Sequence, residues 1–126
     1  MIFLYRILTF FLFPIFVIII FIRRYFNKED KIRYKEKLSI NESFTPKNKK
    51  VIWVHAASIG ETNSVFPLIA RLTKDNENTF VLLTSTTLSS SQLIEKKKFN
   101  KNNLQHRFFS LDVQFLVKKF LNCWKP

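Results

Sequence analysis

Ser58-Ile-Gly-Glu61 is the stretch whose residue types and spacing come nearest to chemistry. A carboxylate that enters a helix in its first turn meets the positive end of the helix dipole, which favours its charged form. Glu61 in that place can accept a proton from a sugar hydroxyl as the hydroxyl oxygen attacks, which is general-base work. The same four residues also fit a capping box, with Ser58 as N-cap and Glu61 bonding back to the main chain. Both readings stand on the residues alone. Gly60 is the sole glycine, and it predicts a tight bend or a close approach of backbone to ligand at this point.

A second stretch, Ser85-Thr-Thr-Leu-Ser-Ser-Ser91, is rich in hydroxyls. It can hold phosphate or sugar oxygens through side chains and the first amides of a following helix, or it can be an ordinary helix start with redundant caps. A third, Ser110-Leu-Asp112, reads as a helix cap at Asp112. His55 ends an apolar run and reads as a half-buried histidine before it reads as a ligand or base.

These stretches need elements to carry them. Val51 to His55, Thr79 to Thr84 and Gln105 to Phe109 are short, apolar and mostly β-branched or aromatic, the pattern of buried parallel strands. Between them, Glu61 to Thr73 repeats Val65, Leu68, Ile69 and Leu72 at helical spacing, and Val113 to Trp124 does the same with Leu116, Val117, Phe120 and Leu121. A weaker helix runs from about Ser89 to Lys98, with a basic tail at Lys96-Lys97-Lys98. Alternation of strand and helix with short connections predicts an α/β fold, a parallel Rossmann-like sheet with right-handed crossovers and helices on both faces. Ligands of such a sheet bind beyond the carboxyl ends of the strands, where all three stretches lie. Three strands make only part of such a sheet. The pattern therefore reads as a truncated domain over 51–126, with an open edge prone to association.

Ahead of that domain, Ile2 to Ile22 is interrupted only by Arg6, Thr9 and Pro14, and as a helix it reaches roughly 30 Å, the thickness of a bilayer's hydrocarbon core. It predicts a membrane anchor over 1–22, either a span or a deeply inserted segment. Basic residues come directly after the run and no small-residue cleavage site is present, which argues against a secretory signal peptide. The segment 23–50 carries ten cations against four acids, so the positive-inside bias places the α/β domain in the cytoplasm.

The whole chain has 21 Lys and Arg against 9 acids, a formal charge of +12. That sign calls for an anionic partner: nucleic acid, acidic lipid headgroups or a phosphorylated substrate. No RNA- or DNA-binding motif interrupts the α/β pattern, so nucleic acid is set aside. Cys123 is the only cysteine, and His55 and His106 are the only histidines. An internal disulfide is excluded, a zinc cluster of the usual kind is not expected, and no metal or other cofactor is called for.

Trp53-Val-His-Ala-Ala-Ser-Ile-Gly-Glu61, followed by Asn63 and Pro67-Leu-Ile69, resembles the first strand, turn and helix of the Kdo (3-deoxy-D-manno-octulosonic acid) transferases. The apolar N-terminus with its basic flank, Thr84-Ser-Thr-Thr87, and the stretch from His106 to Asp112 agree in order and spacing. Ser90 stands where many relatives have glycine, and Ser110 replaces a common proline. The resemblance implies the acceptor-side, N-terminal half of a GT-B glycosyltransferase that transfers Kdo from CMP-Kdo to a lipid A precursor in lipopolysaccharide synthesis, with inversion and without metal. It makes Glu61 the catalytic base and Ser58, Gly60, Thr84, Ser85, Thr86 and Thr87 the substrate-binding set. It also implies a place on the cytoplasmic face of the bacterial inner membrane, against anionic lipid. The family's donor-binding second domain, which takes CMP-Kdo, has no counterpart in this sequence. An inactive isolated chain is therefore expected, and a non-catalytic remnant or a split-enzyme subunit is the alternative reading.

Overall fold

A computed structural model describes residues 1–40, 46–74, 77–97, 99 and 102–126. Lys98, the expected end of the middle helix, and residues 41–45 of the basic segment lie outside the described residues. In chain order the elements are α1 (Ile2–Tyr25), a 3-10 turn (Arg33–Leu38), β1 (Lys50–Ala56), α2 (Ile59–Lys74), β2 (Thr79–Ser85), α3 (Leu88–Lys96), β3 (Leu104–Phe108) and α4 (Gln114–Trp124). They group into two compact units, Met1–Ser43 with Ser110–Cys123, and Phe44–Phe109 with Trp124–Pro126.

The second unit is the α/β part. Its sheet is parallel throughout, in the order β1-β2-β3. The central strand β2 is buried along its whole length, as a near-continuous run of Phe80, Val81, Leu82 and Leu83 requires when both faces are covered. On one face Val81, Leu83 and Ala56 pack with Phe66 and Ile69 of α2 and Ile94 of α3. Each side chain so buried contributes about 1.5–3 kcal/mol if Val-sized or larger. On the other face Trp124 stacks on Phe80, with ring centroids 6.5 Å apart, and Arg107 lies over the Trp124 ring. β1 and β2 pair in register from Lys50 with Thr79 to Ala56 with Ser85, which sets His55 beside Thr84. That register brings the carboxyl ends of both strands, and hence the first two hydroxyl-bearing turns, to one level.

In the first unit α1 is three residues longer than the apolar run, since Arg23, Arg24 and Tyr25 continue it. It is long and apolar enough to cross a membrane, and most of its large side chains are exposed. Its end is tied to the 3-10 turn by a buried ionic cluster: Glu29, 3% exposed, accepts from Lys37 Nζ at 2.8 and 2.7 Å and from Arg23 Nε at 2.8 Å. Nearby, Asp30 Oδ1 accepts from the amides of Ile32 and Arg33 at 2.9 and 2.7 Å. Burial pushes that carboxyl up, but the two amides and the Arg33 guanidinium outweigh it and hold the group below its ordinary value.

Candidate functional site

The site is built at the β1–α2 turn. Ser58 precedes α2, and its Oγ accepts from the Glu61 amide at 3.3 Å while its carbonyl takes the Thr62 amide at 2.9 Å and the Thr62 hydroxyl at 2.7 Å. Glu61 answers by accepting from the Ala57 amide through Oε2 at 2.8 Å. This is a reciprocal N-terminal cap shifted by one residue, since a capping box would use the Ser58 amide. Glu61 Oε1 has no partner among the described residues, and the side chain is exposed. The cap and an available carboxylate oxygen therefore coexist in one residue.

Gly60 departs from the tight bend expected of it. It lies in the first turn of α2 with no positive φ, and a Cβ added there would meet nothing nearer than Ser58 Oγ at 3.9 Å. Left-handed backbone falls instead to Asn27, Ser39, Asn48 and Lys125. The sole glycine is thus no conformational necessity, and its effect is to leave the surface beside Glu61 without a side chain.

The hydroxyl-rich turn divides into two layers. Thr84 and Ser85 are fully buried. Thr84 Oγ1 accepts from Trp53 Nε1 at 2.8 Å and is 2.9 Å from His55 Nδ1, while Ser85 Oγ shares a hydrogen bond with His106 Nε2 at 2.8 Å. Above them Thr86 and Thr87 are half-buried. Thr86 donates to the Ala57 carbonyl at 2.8 Å, fastening the second turn to the residue whose amide holds Glu61. Thr87 is the N-cap of α3, accepting from the Ser90 amide at 3.2 Å and donating to Ser90 Oγ at 2.8 Å. A serine at position 90 thus becomes part of the cap, where glycine would leave only the amide.

Trp53 and Phe109, which the sequence offered only as strand residues, complete the rim with His55, which is exposed and not half-buried as expected. Trp53 stacks on Phe109 at 5.5 Å, and the exposed His55 lies 5.1 Å from the same ring. The two-residue spacing of Trp53 and His55 signals a shared strand face; their meeting with Thr84 and Phe109 depends on strand register. Asp112 belongs to the other unit, where it accepts from the Tyr5 hydroxyl at 2.5 Å. Among the described residues no group of three His, Cys, Asp or Glu is placed to hold a metal ion.

Comparison with known proteins bears on the same residues. Residues 32–126 match the family model described as 3-deoxy-D-manno-octulosonic-acid transferase (kdotransferase). A 3-deoxy-D-manno-octulosonic acid transferase of Rickettsia bellii is 37% identical over 123 residues, covering 98% of this chain and 29% of the relative. A probable mitochondrial 3-deoxy-D-manno-octulosonic acid transferase of Arabidopsis thaliana is 32% identical over 127 residues, covering 98% of this chain and 27% of its own length. The Haemophilus influenzae transferase is 31% identical over 75 residues, 60% of this chain and 17% of that protein. The chain thus spans less than a third of each of these relatives, and no solved structure matches it.

Proposed function

Because this chain belongs to the Kdo transferase family, we propose that it supplies the acceptor side of Kdo transfer from CMP-Kdo to a lipid A precursor. The observation that carries the reading is the state of Glu61, an exposed carboxylate fixed through one oxygen by the Ala57 amide and left with the other unpartnered among the described residues. A base must be held in place while it offers a lone pair, and this arrangement does both. The acceptor's glucosamine hydroxyl gives its proton to Glu61 Oε1. Its oxygen then bonds to the anomeric carbon of Kdo as the bond to the CMP phosphate breaks, and the electron pair leaves on that phosphate. Attack from the side opposite the leaving group gives inversion.

Ser58 and Gly60 leave the surface beside Glu61 low enough for a sugar ring. Thr86 and Thr87 line the neighbouring turn, and Thr84 and Ser85 hold its floor. Donor binding we assign to the remaining length of the family's proteins, the relatives being more than three times as long as the part matched here. α1 attaches the unit to the membrane, and the cations after it draw the domain to the anionic, cytoplasmic face. Binding tests the reading directly. In neutral phosphatidylcholine vesicles the chain is expected to retain a tetraacylated, phosphorylated lipid A precursor saturably. Retention no better than that of phosphatidylglycerol at matched charge contradicts an acceptor site.

A further inference from the structure

The membrane reading of α1 leaves open how the helix sits in the bilayer. Resting on that reading, we infer that α1 lies in the plane of the membrane surface, one face in lipid and the other on its own unit, and does not cross.

Contacts with the rest of the unit run along the whole helix. Near its start Tyr5 donates to Asp112 at 2.5 Å, in its middle Phe13 meets the Phe115 ring at 5.2 Å, and near its end Phe21 meets Tyr34 at 5.8 Å while Arg24 lies 4.5 Å over that ring. Thr9 and Ile20 are buried, and Phe13, Phe16 and Arg24 are half-buried. With 3.6 residues per turn these positions form one stripe. The opposite stripe, Leu4, Ile7, Phe11, Ile18, Ile22 and Tyr25, is exposed throughout and carries no charge. All three cations of α1, Arg6, Arg23 and Arg24, fall outside that outer stripe.

A span cannot keep these contacts. With Phe13 at mid-bilayer, the contacts of Tyr5 and Phe13 would draw Asp112 and the non-helical stretch 110–113 into hydrocarbon. Irregular backbone and a carboxylate are costly there. An amphipathic helix in the interface has no such conflict. Charge points the same way. A hollow of about 350 Å³ near the start of α1 is lined by Arg6, Phe10, Phe115 and Lys118, and one of about 380 Å³ at its end by Phe21, Arg24, Tyr25 and Lys31. Each places two cations beside aromatic rings, as an anionic headgroup layer requires, and a single layer reaches both ends only if the helix lies flat.

Site-directed probes decide the matter. With Cys123→Ser as background, an environment-sensitive fluorophore is placed on the full chain at Ile2→Cys, Phe11→Cys, Ile18→Cys or Lys28→Cys. The protein is bound to phosphatidylethanolamine–phosphatidylglycerol vesicles, and the membrane-impermeant reductant dithionite is added outside. The expected result is complete loss of signal at both Ile2→Cys and Lys28→Cys, with blue-shifted emission at Phe11→Cys and Ile18→Cys. Protection of one end with loss at the other shows a span and overturns the in-plane placement while leaving membrane attachment intact. Failure of the chain to float with the vesicles, with no emission shift at Phe11→Cys or Ile18→Cys, overturns both.

Discussion

Glu29 and Glu61 are the same residue type in opposite surroundings. Glu29 is 3% exposed, and both its oxygens are taken by Lys37 and Arg23. Glu61 is exposed, with one oxygen on the Ala57 amide and the other without a partner among the described residues. A carboxylate that has committed its oxygens to cations in a buried cluster fixes the chain where it stands. One held by a single main-chain bond at a helix start keeps its position and still has an acceptor to offer, which is the arrangement the proposed base requires.

The contrast breaks most visibly if Glu61 turns out to be structural. In a family-length enzyme carrying this sequence, Glu61→Gln is expected to lower Kdo transfer by about 10²–10⁴-fold. The unfolding midpoint should move little, because the amide oxygen of Gln can still accept from Ala57. Glu29→Ala should do the reverse, costing about 3–5 kcal/mol of stability by leaving Lys37 buried without its anion. Denaturant titration in detergent reads that loss, and Glu29→Met with Lys37→Met should recover much of it. Thr84→Val sharpens the floor of the site: it strands the Trp53 indole N–H and is expected to cost about 1–3 kcal/mol, visible in the Trp fluorescence unfolding curve.

Smaller effects separate the cap from the surface beside it. Gly60→Ala should stabilise α2 by about 0.5–1 kcal/mol, since a helical Gly is replaced where a Cβ has room. Its retention on acceptor-loaded vesicles should nonetheless fall if the bare surface there admits the sugar. The smallest effect belongs to Asp30. Its folded pKa is lowered, chiefly by the Arg33 and Ile32 amides acting against burial. Its contribution to stability is therefore full above the ordinary carboxylate range and fades as pH falls through the lowered value. Asp30→Asn should flatten that acidic limb in an unfolding-versus-pH series.

Much of the fold is legible in the sequence because apolar periodicity is local. β1, β2 and β3 begin and end within a residue of the runs that start at Val51, Thr79 and Gln105. α2 can be placed because Ser58 and Glu61 announce a helix start in their own spacing. The features that stay hidden depend on partners distant in sequence. Thr84 reads as the end of a buried strand and Ser85 as the first hydroxyl of the loop after it, and only the register with β1 and β3 brings Trp53, His55 and His106 to them. The Glu29–Lys37 pair is lost in a segment that reads only as an excess of cations, and the Tyr5–Asp112 bond joins residues 107 apart. Gly60 misleads for a different reason: scarcity suggests necessity, and the backbone there is ordinary helix.

The most direct test of Glu61 as the base is kcat/KM for Kdo transfer, measured together with the unfolding midpoint for the family-length enzyme and its Glu61→Gln variant. If Glu61 takes the acceptor proton, the variant loses about 10²–10⁴-fold in kcat/KM at an unchanged midpoint. A variant that keeps the native kcat/KM contradicts the assignment and leaves Glu61 as a helix cap alone.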